Sequence, residues 1–257
     1  MTRFTFAAAA LALGLTAGAA EAQKVRVGMA PEPYPPFASV DASGTWTGWE
    51  IDLMWALCKA AEFECEITPI AWDGLIPALE AGQIDAIMNS MSINEERQKV
   101  IDFSDKYYNT PAVIVAAKGD AITPDPEGLT GKILGVQVST IHQTYAEKHF
   151  GGVAAEIKSY QTQDEANQDL VAGRIDATQA DSTAMDAFVA AEGADCCEIK
   201  GAVENDPAVL GLGVGVGLRK GDEALKEAFN KAIADVRADG SYDEITSKYF
   251  TSSIYGE

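Results

Sequence analysis

Arg97 is the residue with the clearest chemical use. A planar guanidinium pairs with a carboxylate through two parallel hydrogen bonds, which an ammonium cannot match. The competing reading is a solvated arginine on a helix surface. Two nearby hydroxyls sharpen the choice. Ser90 and Ser92 alternate along a segment read as extended, and period-two spacing would put both on one face. Ser92 with Glu95 also fits a Ser-x-x-Glu capping box at the start of a short helix carrying Arg97. Both roles can coexist, because a cap leaves backbone N–H groups free for an anion. A second anion site is expected at Ser139-Thr140, which precede a helix-like run from Ile141 to Phe150. The N-terminus of such a helix offers open N–H groups and a favourable dipole.

Catalytic constellations are sparse. The sequence has two histidines, His142 and His149, both within that same run and without a nucleophile motif nearby. No His, Cys and Asp cluster has metal-ligand spacing, so neither a metal nor a cofactor is expected. Carboxylates are plentiful, and counting them does not exclude acid catalysis. The four cysteines divide into two pairs. Cys58 falls late in an expected helix and Cys65 opens the next expected strand. A short connection would bring them within bridging reach, and a structural disulfide is expected. For adjacent Cys196 and Cys197 a vicinal disulfide, two free thiols and a metal site all stay open. Zinc is the least favoured, since no histidine is close in sequence.

The compartment follows from the N-terminus. Arg3 is the only charge before the apolar run Phe4 to Leu15, and Ala20-Glu21-Ala22 supplies a small-x-small cleavage site before Gln23. Residues 1–22 therefore read as a secretory signal peptide. The run is shorter than the roughly 20 apolar residues that span a bilayer. No cysteine stands at the cleavage point, so no lipid anchor is expected, nor any direct membrane insertion. The formal net charge is −20 at pH 7. That disfavours nucleic acid as a partner, since affinity there comes from Lys and Arg on phosphates.

The elements that must position these residues alternate between strand and helix. Lys24–Met29 alternates as a strand, and Ile51–Ala61 has helical spacing. Cys65–Ile70, Ala86–Met88, Ile133–Val136, Ile157–Tyr160 and Ile175–Thr178 read as strands, with helices such as Leu75–Ala81 and Thr162–Ala172 between them. This rhythm predicts α/β layers with mainly parallel sheets flanked by helices. One unit occurs twice. Ala78–Ser90 and Asp169–Asp181 both read helix, Ala-Gly, Ile-Asp-Ala, short strand. Gly82 and Gly173 suit left-handed positions just past each helix. The duplication predicts two similar lobes, and it aligns Ser90 with Asp181. Open α/β sheets bind ligands beyond the carboxyl ends of their strands, so the two would face each other across a cleft. Near the C-terminus a glycine-alternating strand, Leu212–Leu218, is followed by a helix over Glu223–Ala238. This tail is expected to return to the first lobe through a two-strand hinge.

Five stretches carry a family resemblance over the whole length after the signal peptide. They are Tyr34–Phe37 (YPPF), Gly48–Leu53 (GWEIDL), Trp72–Leu79 (WDGLIPAL), Asp85–Arg97 (DAIMNSMSINEER) and Arg237–Tyr242 (RADGSY). Together they resemble the family-3 extracellular solute-binding proteins of polar amino-acid importers, in the branch that binds lysine, arginine, ornithine or histidine. The resemblance implies a type II periplasmic binding protein fold, with lobe 1 over 23–110 and 211–257 and lobe 2 over 111–210. It implies a monomer, not an enzyme, that captures an amino acid in the periplasm and delivers it to an ABC permease in the inner membrane. An opine or other amino-acid derivative is the alternative ligand, and a lyase or dehydratase relative the alternative class. The implied ligand residues are Glu32, Tyr34, Trp72, Asn89, Ser90, Ser92, Arg97, Thr140, Ile141, His142 and Asp181. Arg97 would hold the ligand carboxylate and Asp181 its ammonium. Tyr34 and Trp72 would flank its side chain, and Glu32 would meet a distal cation. Trp46 and Trp49 are expected in the core or at the rim. Several positions depart from the family pattern. Asn89 stands where a serine is usual, Ile141 and His142 where Thr and Gln are common, and Glu32 is shifted by one position between Pro31 and Pro33.

Overall fold

A computed structural model describes residues 22–256. The expected signal peptide, apart from its last residue, lies outside the described residues. In chain order the elements are β1 (Gln23–Met29), β2 (Ser39–Val40), β3 (Trp46–Thr47), α1 (Trp49–Ala60), β4 (Phe63–Pro69), α2 (Leu75–Glu80), β5 (Ala86–Ile87), α3 (Glu95–Gln98) and β6 (Ile101–Tyr108). They continue with β7 (Ala112–Ala117), β8 (Ile133–Gln137), α4 (Ile141–His149), β9 (Glu156–Tyr160), α5 (Gln163–Val171), β10 (Ala177–Asp181), α6 (Ser182–Ala190) and β11 (Cys197–Ala202). The last are α7 (Pro207–Leu210), β12 (Val214–Arg219), α8 (Glu223–Ala238) and α9 (Ser241–Ser247).

Two five-stranded sheets result, in the orders β4-β1-β5-β12-β6 and β11-β7-β10-β8-β9. Each is built on a βαβαβ unit, β1-α1-β4-α2-β5 in one and β8-α4-β9-α5-β10 in the other. In each sheet a single strand runs against the rest: β12 opposes β5 and β6, and β7 opposes β10 and β11. Both reversed strands follow a passage from the other half. The outward passage is the short Asn109–Pro111 stretch between β6 and β7. The return passage is the short Gly211–Gly213 stretch after α7, which itself packs on α4 of the second half.

The duplicated sequence unit does the same work twice. Gly82 and Gly173 take left-handed backbones at φ 70° and 67°, which cost glycine nothing. Around them Gln83 N donates to Ala78 O, and Arg174 N to Asp169 O, closing both helices alike. The aspartates that follow each receive a backbone N–H from a neighbouring strand: Asp85 from Arg26 at 3.0 Å, Asp176 from Ile133 at 2.7 Å. The C-terminal helices pack on the first sheet, where Tyr242 donates from its hydroxyl to Tyr107 O at 2.7 Å. Trp49 is fully buried beneath the cleft against Phe37, Tyr107, Tyr108 and Tyr242. Trp46 is only half-buried. Cys58 and Cys65 form a disulfide between α1 and β4, with Cα atoms 6.1 Å apart. Cys196 and Cys197 are bonded to each other. Among the described residues no helix is long and apolar enough to cross a membrane.

Candidate ligand cleft

The strand ends of the two sheets face each other over a cavity of about 570 Å³, its open mouth included. Its wall contains Glu32, Tyr34, Trp72, Asn89, Ser90, Ser92 and Arg97 from one side and Thr140, Ile141, His142 and Asp181 from the other. The sequence reading named all of these. Ala30, Pro33, Gln137 and Gln163 also line it and were not foreseen. Ala30 and Pro33 have no functional group to signal the role, and both glutamines read as ordinary polar positions.

Arg97 is buried at 9% exposure on α3. It donates from Nη1 to Ser92 O at 3.0 Å and from Nη2 to Ser139 O at 3.2 Å, so one side chain touches both halves. Its guanidinium lies 5.4 Å from the Trp72 ring centre, within cation–π range. Burial lowers its pKa to about 10, and the charge of Asp181 opposes that shift. It stays cationic at neutral pH. Two carbonyls satisfy only part of its five donors, which leaves capacity for an anion.

Across the cleft Asp181 ends β10. Tyr34 donates from its hydroxyl to Asp181 Oδ2 at 2.7 Å, Thr110 to Oδ1 at 3.3 Å, and His142 Nε2 lies 3.6 Å from Oδ2. Burial raises the Asp181 carboxyl. The neighbouring His142, with the Tyr34 and Thr110 bonds, outweighs burial and holds it below its usual value. Burial and then the Asp181 charge push the Tyr34 hydroxyl well above its usual value, so it remains a donor. Trp72 donates from Nε1 to Val138 O at 3.0 Å, a third tie between the halves.

The helix expected after Ser139-Thr140 forms over Ile141–His149. Thr140 caps α4, its hydroxyl accepting from Gln143 N at 3.1 Å and donating to Gln137 O at 2.7 Å. The only proton of that hydroxyl is committed to Gln137, so what the loop presents to an anion is its first backbone N–H groups, at Ile141 and His142. Two buried wall atoms have no partner, Glu32 Oε2 and His142 Nδ1. Buried polar atoms are rarely left so, and a donor-rich ligand would satisfy the carboxylate.

Three local readings need correction. The helix carrying Arg97 is capped by Asn94, which accepts from Arg97 N at 2.9 Å, and not by Ser92. Ser92 instead makes an antiparallel bridge with Val214, so the strand returning from the other half claims its backbone. Ser90 is not extended: its φ is 52°. A left-handed residue breaks the period-two alternation, so Ser90 and Ser92 do not share a face by strand geometry. Asn89 is held as well, its Oδ1 accepting from Ala30 N at 2.7 Å. A further residue that sequence reasoning missed, behind the wall, is Glu50 on α1. It is buried at 1% exposure and accepts from Ser90 N at 2.7 Å, Ser90 Oγ at 3.1 Å and the Tyr107 hydroxyl. Its only sequence signal is a carboxylate inside an apolar helical face beside Trp49.

Two similar α/β halves with a cavity between them, lined by an arginine, an aspartate and a helix N-terminus, define a two-lobed binding protein for small zwitterions. The chain belongs to the bacterial extracellular solute-binding proteins, family 3, whose profile matches residues 25–252. It is 42% identical to the histidine-binding periplasmic protein of Salmonella typhimurium strain LT2, over 93% of this chain and 92% of that one. It is 40% identical to the L-arginine-binding protein of Pseudomonas aeruginosa, over 90% of each. Among solved structures, an ancestral arginine-binding protein bound to arginine superposes with a TM-score of 0.81. That structure is 34% identical, with 88% of this chain and 98% of that one covered. Its fold is the type II arrangement expected from the sequence.

Proposed function

We propose that the protein captures a basic L-amino acid in the periplasm and delivers it to an ABC permease in the inner membrane. Lobe 1 is assigned to 23–110 and 211–257, lobe 2 to 111–210, and the protein acts as a monomer. The observation that carries the reading is the charge layout of the cavity. A cationic Arg97 and the open α4 N-terminus suit the ligand carboxylate, and Asp181 suits the ammonium. Glu32, with a buried and unpartnered Oε2, suits a second cation at the end of the side chain. Tyr34 and Trp72 supply aromatic walls for the methylenes or ring between. Ser92, Asn89, Thr140, Ile141 and His142 complete the enclosure. The names of the histidine- and arginine-binding relatives support the same ligand class.

The contacts of Arg97, Tyr34 and Trp72 across the cleft support closure as the working motion. A ligand that touches both lobes binds the closed form better than the open one, and so shifts the population towards it. The permease then reads a surface that exists only when the lobes are together. Calorimetric titration of refolded, ligand-stripped protein with single amino acids tests the proposal. Arginine, lysine, ornithine or histidine is expected to bind at least tenfold more tightly than glutamine or alanine. Equal affinity for alanine, or no binding by any amino acid, overturns it.

A further inference from the structure

Glu50 does not line the cavity, yet it holds a residue that does. Its three contacts come from Ser90 N, Ser90 Oγ and the Tyr107 hydroxyl. The backbone N–H can only donate, and it meets Oε1, the same oxygen that Tyr107 meets. That leaves Oε2 to the Ser90 hydroxyl. A carboxylate has no proton to give, so the serine proton must point at Oε2. Ser90 then offers the cavity lone pairs alone. The local backbone supports the same picture. Ser90 sits at φ 52°, a conformation that non-glycine residues seldom adopt, and the Glu50–Ser90 N bond of 2.7 Å helps hold it there.

We propose that Glu50 is a positioning residue for ligand recognition: as a carboxylate it fixes the Ser90 hydroxyl as an acceptor, which favours an ammonium on the ligand. The inference rests on the amino-acid reading above. An ammonium has three donors and no lone pair. Asp181 already receives Tyr34 and Thr110, so a further acceptor on the opposite wall completes the ammonium's set. Burial raises the Glu50 carboxyl above its usual value, and the Tyr107 and Ser90 bonds offset only part of that rise. A neutral group at this position reverses the serine. In Glu50→Gln the amide oxygen must stay on Ser90 N, so the amide NH₂ takes the place of Oε2. It donates to Ser90 Oγ, and the serine proton turns towards the cavity. The site then presents a donor to a group that can only donate.

The test compares L-arginine with its α-hydroxy analogue, or L-histidine with imidazolelactate if histidine is what the wild-type protein binds. The α-hydroxyl can accept as well as donate, so it tolerates either direction of Ser90. Glu50→Gln is expected to weaken the amino acid by roughly tenfold or more while changing the hydroxy analogue by less than about threefold. Ser90→Gly removes the hydroxyl without strain at a positive φ. In that background Glu50→Gln is expected to have no further effect on the ratio of the two affinities. Equal losses for both ligands in Glu50→Gln, or an undiminished effect in Ser90→Gly, overturn the proposal and make Glu50 a packing residue. If Glu50→Gln does not fold, Ser90→Gly decides alone: the preference for the amino acid over its hydroxy analogue must shrink, and an unchanged ratio overturns the proposal. Wild-type protein that binds neither amino acid overturns the functional reading itself, which is a different outcome from a wild type that binds while its variants keep their selectivity.

Discussion

Replacing Arg97 by alanine should abolish useful binding without harming the fold. The guanidinium is 9% exposed and donates to two carbonyls, Ser92 O and Ser139 O. It has no carboxylate within ion-pair distance among the described contacts, so its removal breaks no buried ion pair in the free protein. With ligand bound the situation reverses. The ligand carboxylate would be buried against α4 with half of its partners gone. Breaking one side of a buried charge pair costs roughly 3–5 kcal/mol, which is about a hundred- to several-thousandfold in affinity at ~1.4 kcal/mol per tenfold. Arg97→Lys keeps the charge but loses the planar fork, so it should fall between, at roughly tenfold to a hundredfold. Calorimetry with L-arginine measures both variants, and thermal melts with and without ligand separate binding from folding. The free variants should melt within a few degrees of wild type, while the ligand-induced rise disappears. An Arg97→Ala protein that binds within fivefold of wild type would refute the carboxylate clamp.

Three further outcomes follow from individual contacts. Glu32→Gln should weaken arginine by roughly tenfold but glutamine by less than about threefold; equal losses would make Glu32 structural and remove the reason for a basic ligand. Asp85 is held at about 2 first by its hydrogen bond to the Arg26 side chain, against burial. A depressed carboxylate stabilises the fold above its unfolded value near 3.8 and loses that contribution as pH falls through 2. Asp85→Asn should therefore lower stability by about 1–2 kcal/mol at pH 7, discounted because Arg26 is 44% exposed, and the gap should close near pH 2. Urea midpoints at pH 7 and pH 2.5 would show it; a pH-independent gap would count against the ion pair. Peptide mapping without reductant should recover Cys58 joined to Cys65, and replacing both by serine should cost about 2 kcal/mol through the freer unfolded chain. Recovery of both as free thiols would sink that assignment.

The sequence carried the layout of the molecule further than the details of its site. The βαβαβ rhythm and the repeated Ala-Gly-x-Ile-Asp-Ala unit are local signals. Each depends on one helix end and one strand, so the two sheets could be read before any contact was known. Most of the cavity wall was legible through the family resemblance; Arg97, Asp181 and Thr140 also had signals of their own, in a guanidinium, a place in the repeated unit and the start of a helix. What escaped was set by distant neighbours. Ser90 looks extended between Met88 and Ser92, yet it is left-handed and its N–H is bonded to a carboxylate on α1, forty positions earlier. Asn94 and not Ser92 caps α3, and Ser92 is bridged by β12 after the chain has passed through the other half. Tyr34 was expected beside the ligand side chain, and its ring does line the cavity. Its hydroxyl, however, spans the cleft to Asp181, a bond between residues 147 positions apart that no local pattern contains.

The most direct test of the account is a crystal structure of the ligand-stripped protein soaked or co-crystallised with the amino acid it binds best. The account predicts closed lobes, the ligand carboxylate about 3 Å from the Arg97 guanidinium and the α4 N–H groups, and the ammonium about 3 Å from Asp181. A ligand bound with these ends reversed, or seated outside the cavity between the sheets, would contradict it.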